Sequence, residues 1–96
     1  MKKEKELSIN GYKLVLECRA MPEAYGVFLD NKEIGYLRLR HGYFAATYYL
    51  KDEDGEVVYD AEPKGQGEFD NDEREYYLNK AVEEIDKYIK KDIKWK

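Results

Sequence analysis

GYLRLRHGYFAATYYL, residues Gly35–Leu50, decides how this chain folds. Apolar and polar residues alternate on both sides of His41-Gly42, with the period of two expected of strands lying on a core. His41-Gly42 itself reads as a two-residue turn, because glycine takes positive φ freely and histidine tolerates it. With that turn, Arg40 faces Tyr43, Leu39 faces Phe44, Arg38 faces Ala45, Leu37 faces Ala46 and Tyr36 faces Thr47. One face collects Leu37, Leu39, Phe44, Ala46, Tyr48 and Leu50. The other collects Ile34, Tyr36, Arg38, Arg40, Tyr43, Ala45, Thr47 and Tyr49.

Working downstream, Asp54-Gly55 is a second turn dipeptide. A two-residue turn there sets Leu50 against Tyr59 and Tyr48 against Ala61, with Val57 on the same apolar face. Thr47 then opposes Glu62, Tyr49 opposes Asp60 and Ala45 opposes Lys64 on the polar face. Two separate turns agree on one apolar face, which argues for an antiparallel meander.

Working upstream, the Asp30-Asn31-Lys32 turn leaves a register open. A two- or four-residue loop puts Tyr25, Val27 and Leu29 on the polar face, and a three-residue loop puts them in the core. Burial favours the second. Before it, Tyr12, Leu14, Leu16 and Cys18 alternate with polar residues, and Asn10-Gly11 can turn the chain back onto Leu7–Ile9. Arg19–Glu23 reads as a connection, since Pro22 has no amide hydrogen to give a ladder.

After a Pro- and Gly-containing loop, Pro63–Phe69, a helix is expected. Asp70 or Asn71 can cap it, and Asp70 with Glu73 has capping-box spacing. Leu78, Ala81, Val82, Ile85, Tyr88 and Ile89 recur on one helical face. Acids crowd the first turn and lysines the last, which suits the helix dipole. The expected fold is therefore α+β: an antiparallel four- to five-stranded β-meander with one C-terminal α-helix packed on one face. It forms a single domain, 1–96, with 1–6 frayed, 7–62 as the meander, 63–69 as a loop and 70–92 as the helix.

With 96 residues, 43% of them hydrophobic, the chain can bury one modest core. Its ten tyrosines suit half-buried sheet faces. The formal net charge is −4 and unevenly spread, with the first fifty residues near +2 and the remainder near −6. Any basic site therefore belongs to the first half. The single cysteine excludes an internal disulfide and a multi-cysteine zinc site. The charged start, MKKEKELSIN, lacks the apolar run of a signal peptide, and no window approaches a membrane span. A soluble, cytoplasmic protein with no membrane contact is the expectation.

The polar sheet face is the candidate site: Tyr36, Arg38, Arg40, Tyr43, Thr47 and Tyr49, with Lys64, placed opposite Ala45, joining them. Arginine forks bind carboxylate or phosphate, and tyrosine and arginine anchor many protein interfaces. This end of the face is expected to be basic, and the far end, with Asp60, Glu62 and Glu33, acidic. His41 has no nucleophile or metal partner in sequence, and Cys18 reads as a structural thiol on a strand. PKGQGEFDND lacks phosphate-loop spacing, and acids would repel an anion from it. Asp52–Glu56 and Asp70–Asp72 lack the twelve-residue ligand ladder of a calcium loop. No catalytic residue, cofactor or metal is expected.

Tyr25–Tyr49 (YGVFLDNKEIGYLRLRHGYFAATYY) and Val57–Ala81 (VVYDAEPKGQGEFDNDEREYYLNKA) resemble a family of small bacterial mobile-element proteins of sheet-plus-helix type, over roughly residues 12–90. The plan also looks like the sheet-plus-helix modules of some integrases and double-stranded RNA binders, in architecture alone. The resemblance implies a mobile-element accessory or anti-defence role and carries over no functional residue. The expected function is a non-enzymatic interaction or regulatory module with a protein partner. Nucleic-acid binding through Arg38, Arg40 and Lys64 is the alternative, and self-association through the same face stays open, as does an acidic second half that mimics nucleic acid.

Overall fold

The computed structural model describes residues 6–18, 23–49 and 55–94, without the side chains of Cys18 and 91–94. Expectations for residues 1–5, 19–22 and 50–54 lie outside the described residues.

Six strands form one antiparallel meander in chain order: β1 (Glu6–Ile9), β2 (Tyr12–Cys18), β3 (Glu23–Leu29), β4 (Lys32–Arg40), β5 (Tyr43–Tyr48) and β6 (Glu56–Ala61). The short β1, closed onto β2 through Asn10-Gly11, brings the sheet above the expected four to five strands. Three hairpins share one device. Asn10 and Gly11, Asp30 and Asn31, and His41 and Gly42 all have positive φ, which is the two-residue type I′ turn. Its twist matches that of the strands, and Asn, Asp and Gly are the residues that enter it at least cost.

The open register of the β3–β4 hairpin resolves by a route the turn alone does not contain. The loop is the two-residue one, with Leu29 opposite Lys32, yet Tyr25 and Val27 are in the core. A bulge reconciles the two: Phe28 pairs with Glu33 and Val27 with Gly35, so Ile34 is the extra residue. One inserted residue flips the phase of the rest of the strand.

The β5–β6 pairing differs from the expected one. Phe44, not Tyr48, faces Ala61, and Ala46, not Leu50, faces Tyr59. The slip is an even number of residues, so Tyr59 and Ala61 keep the apolar face, and the Tyr59 ring meets Phe44 edge-on at 6.2 Å. Tyr48 faces Glu56, so the connection is longer than a two-residue turn. A second bulge, between Ala46 and Thr47, puts Val57 opposite Thr47 on the outer face, where it is 49% exposed rather than buried as expected. Ala45 opposes Asp60, not Lys64, and Thr47 opposes Val57, not Glu62.

The helix α1 (Arg74–Lys94) covers the apolar face; the expected span, 70–92, begins four residues early, ahead of the turn at 71–73, and ends two residues short. Leu78, Ala81, Val82 and Ile85 are buried against Leu14, Val27, Leu37, Leu39 and Phe44. Each large side chain so buried contributes about 2 kcal/mol. Gly35 lets the helix come this close: a Cβ there would lie 3.4 Å from Ile85 Cδ1 and 2.6 Å from the Thr47 carbonyl oxygen. The Tyr12 hydroxyl donates to Asp86 at 2.8 Å, tying β2 to the helix.

Glu23, the residue at which the connection gives way to the strand EAYGVFL, is the first residue of β3, and its side chain is 2% exposed. Arg74 reaches it from the first turn of α1, Nε at 2.8 Å from one carboxylate oxygen and an Nη at 3.1 Å from the other. The Tyr25 hydroxyl and the Phe69 amide also donate to it. The loop before α1 is organised by a second buried carboxylate. Glu73 accepts from the amides of Lys64 (2.8 Å), Gly65 (2.9 Å) and Asp70 (2.9 Å). The last of these is one half of the expected capping box.

Candidate functional site

With α1 on one face, the other face of the sheet carries the candidate residues, and the strand registers fix their rows. Gly26, Tyr36, Thr47 and Val57 lie side by side across β3 to β6. Val15 extends this row on β2, opposite Gly26. It forms an uncharged band across the middle of the face. One row along, Arg38, Ala45 and Asp60 are neighbours, and beyond them Arg40 pairs with Tyr43. On the opposite side of the band lie Phe28 and Glu33, with Tyr49, whose amide donates to the Ile34 carbonyl at 2.9 Å.

Arg38 and Arg40 project into solvent as expected, and among the described residues neither guanidinium has a hydrogen bond or ion pair. With His41, Tyr43 and Ala45 they line a shallow depression of about 400 Å³. A second, of about 250 Å³, lies on the other flank of the same turn, between Arg40, His41, Gln66 and Gly67. The Gly42 amide donates to the Gln66 carbonyl at 2.6 Å and holds that loop against the hairpin.

Lys64 does not join this group. Its ammonium lies 3.0 Å from Asp72 and 3.9 Å from Asp70 at the start of α1. The hydrogen bond to Asp72 holds its pKa above the usual lysine value. Lys64 was expected opposite Ala45 because β6 was placed four residues out of register.

The face is polarised along the strands, but not by the expected residues. Asp60 sits at the basic end, where its carboxylate accepts from the Tyr43 hydroxyl at 2.9 Å. That bond raises the Tyr43 phenol, a shift tempered by its exposure to solvent. Glu33 stands across the band from the arginines, with Lys13 in the same row opposite Phe28, and Glu17 stands on the Arg38 side, but the carboxylates of Glu33 and Glu17 converge. Both reach over Gly26, with oxygens 2.7 Å (Glu17) and 3.4 Å (Glu33) from where a Cβ of Gly26 would stand, and the Phe28 ring is 3.1 Å from the same point. Burial, then these two carboxylates, push the Tyr49 phenol up.

No family model, curated protein or solved structure matches the chain. The mobile-element resemblance therefore remains an expectation. Among the described residues no group of three or more His, Cys, Asp or Glu is placed to hold a metal ion, and no helix is long and apolar enough to cross a membrane. What the face can do chemically is recognise an anion through two guanidinium forks, a cation through Glu17 and Glu33, and an apolar surface through the band between them.

Glu17 was absent from the expected site. It follows Leu16 in β2 at a register shift, where Leu16 pairs with Tyr25 and Cys18 with Ala24, and no turn signal announces that shift. The Glu23–Arg74 pair was legible in principle. Glu23 shares strand parity with Tyr25 and Val27, and Arg74 stands four residues before Leu78 on the buried stripe of α1.

Proposed function

We propose that the chain is a non-enzymatic interaction module that docks a protein partner on the helix-free face of its sheet. Tyr36, Arg38, Arg40, Tyr43, Thr47 and Tyr49 carry the contact. The observation that supports this is the neighbourhood of Arg38 and Arg40, two exposed guanidinium groups with no partner among the described residues. They stand beside an uncharged band in which Val57 is 49% exposed, with Tyr43 next to Arg40 at 46%. Apolar surface edged by arginine and tyrosine is the composition of interface centres.

A protein partner is favoured over nucleic acid by the mixed signs on this face. Asp60, Glu17 and Glu33 share it with the arginines, and Lys64 is held elsewhere by Asp72. A phosphate backbone is bound by uniform positive charge, and two cations give it a weak, salt-sensitive grip. A mobile-element accessory or anti-defence role rests on the family resemblance alone.

The test is capture on the immobilised chain, with a host lysate and a differently tagged copy of the chain offered in turn. Wild type is compared with Arg38→Ala/Arg40→Ala/Tyr43→Ala and with Tyr76→Ala on the exposed side of α1. The reading expects a partner recovered by wild type and Tyr76→Ala and lost by the triple variant. Equal recovery by all three removes the face from the account. Low-salt binding of duplex or single-stranded nucleic acid, abolished in Arg38→Ala/Arg40→Ala, would transfer the site to the nucleic-acid reading.

A further inference from the structure

The outer face is complementary to itself. Take the band through Tyr36 and Thr47 as an axis, running across the strands. On one side of it β4 presents Arg38 and β5 presents Ala45. On the other side β4 presents Glu33, and Tyr49 follows β5. A half-turn about that axis exchanges the two sides. Arg38 is then carried over Glu33, and Ala45 over Tyr49.

We propose that the partner of this face is a second copy of the chain. Two copies stack outer face to outer face with antiparallel strands about a two-fold axis along the Tyr36 row, and Arg38 of each reaches Glu33 of the other. The inference rests on the docking reading above and gives it an occupant.

Three features support it. First, the match of charge is specific to an isologous arrangement, in which residue i meets j and j meets i. A partner of uniform charge would satisfy only one pole of the face and repel the other. Second, Val15, Tyr36, Thr47 and Val57 on the axis row carry no charge, and the Glu17 and Glu33 carboxylates that lie over Gly26 are the acids offered to Arg38 of the second copy. Third, Ala45 keeps the face low where Tyr49 of the second copy must enter, and face-packed sheets need about 10 Å between them. The Asp60 carboxylate at the basic end is occupied by the Tyr43 hydroxyl and leaves Arg38 and Arg40 to the second copy.

Six strands at about 4.8 Å spacing make a face about 24 Å wide, so a stack of two copies buries on the order of 1,000 Å² in total. That is the low end for a specific interface. The dimer is therefore expected to be in exchange with monomer, so that its population follows concentration.

The symmetry supplies a test that simple loss of a contact does not. In Arg38→Glu two acids face each other twice across the axis, and in Glu33→Arg two bases do. An equimolar mixture of the two variants restores both attractive pairs. Sedimentation equilibrium of the full chain, with circular dichroism to confirm that each variant is folded, is the measurement. The expected result is a wild-type dimer, each single variant weakened at least about tenfold, and a 1:1 mixture that recovers dimer. The double variant Glu33→Arg/Arg38→Glu recovers it as well. A wild-type chain that stays monomeric to millimolar concentration overturns the proposal, and so do folded single variants that dimerise as well as wild type or a mixture that stays monomeric. In those cases, capture of a different protein that is lost in Arg38→Ala/Arg40→Ala/Tyr43→Ala would leave the docking reading standing without this occupant.

Discussion

Arg74 grips both oxygens of the Glu23 carboxylate, Nε at 2.8 Å and an Nη at 3.1 Å, although 51 residues separate the two in the chain. This pair joins the first residue of β3 to the first turn of α1. The same Arg74 Nη reaches the Phe69 carbonyl at 3.1 Å, and the Glu23 amide donates to the Gly67 carbonyl at 2.8 Å. The loop leading into the helix is thus clamped from both sides, and the helix is held over one face so that the other stays open.

Removing one partner of the pair should cost more than removing both. Arg74→Met leaves a buried carboxylate with no cation and should destabilise the fold by about 3 kcal/mol. Glu23→Leu/Arg74→Met should recover part of that loss but not all, since Glu23 also receives the Phe69 amide and the Tyr25 hydroxyl. Urea denaturation midpoints check this. A double variant less stable than Arg74→Met would contradict the desolvation argument.

Glu73 should behave as the keystone of the loop. It takes three backbone amides that make no other hydrogen bond among the described residues. Glu73→Ala is expected to lose about 2–3 kcal/mol, and Glu73→Gln less, because the amide oxygen can still accept. Hydrogen exchange at Lys64, Gly65 and Asp70 reads this directly, with faster exchange in Glu73→Ala than in Glu73→Gln.

The fold should weaken in acid for an identified reason. Burial pushes the Glu23 carboxyl up, but Arg74, the Tyr25 hydroxyl and the Phe69 amide outweigh it and hold it below the usual value. In Glu73 burial is likewise outweighed, by the three amides. Both carboxyls therefore titrate lower folded than unfolded. Their contribution is complete above the ordinary glutamate value, about 4.3, and is lost as pH falls through the lower folded values. Thermal unfolding should show a Tm that is level at neutral pH and declines below about pH 4, less steeply in Glu73→Gln. A Tm insensitive to acid would contradict it.

Gly65 should tolerate no side chain. A Cβ there would fall 1.9 Å from the Glu68 carbonyl oxygen, a backbone atom that cannot swing away. Gly65→Ala must open the loop, and the expected cost is about 1–3 kcal/mol. Gly11→Ala, where no atom lies within 4 Å of the added methyl, should show only the cost of positive φ, on the order of 1 kcal/mol. Equal destabilisation by the two would show that the contact at Gly65 is not felt.

The meander and the two faces of β4 and β5 were legible because alternation and type I′ turn residues act locally and agree. Asp30-Asn31 and His41-Gly42 announce themselves in the sequence, and the phase of Arg38 and Arg40 follows from the second. The bulges did not announce themselves. Ile34 is an ordinary strand residue, and its insertion is decided by the gain from burying Tyr25 and Val27, which lie on another strand. The same holds between Ala46 and Thr47, where packing of Tyr59 on Phe44 sets the β6 register and moves Lys64 off the face. Those are long-range terms, and no window of the sequence contains them.

The central claim is that this chain associates through the face α1 leaves bare. A dilution series followed by amide and side-chain chemical shifts tests it most directly. The account predicts concentration-dependent shifts confined to the Val15, Tyr36, Thr47 and Val57 row and to Glu33, Arg38 and Tyr49 beside it, with Leu78, Val82 and Ile85 unmoved. Shifts centred on the helix side, or spectra that do not change between micromolar and millimolar chain, would contradict it.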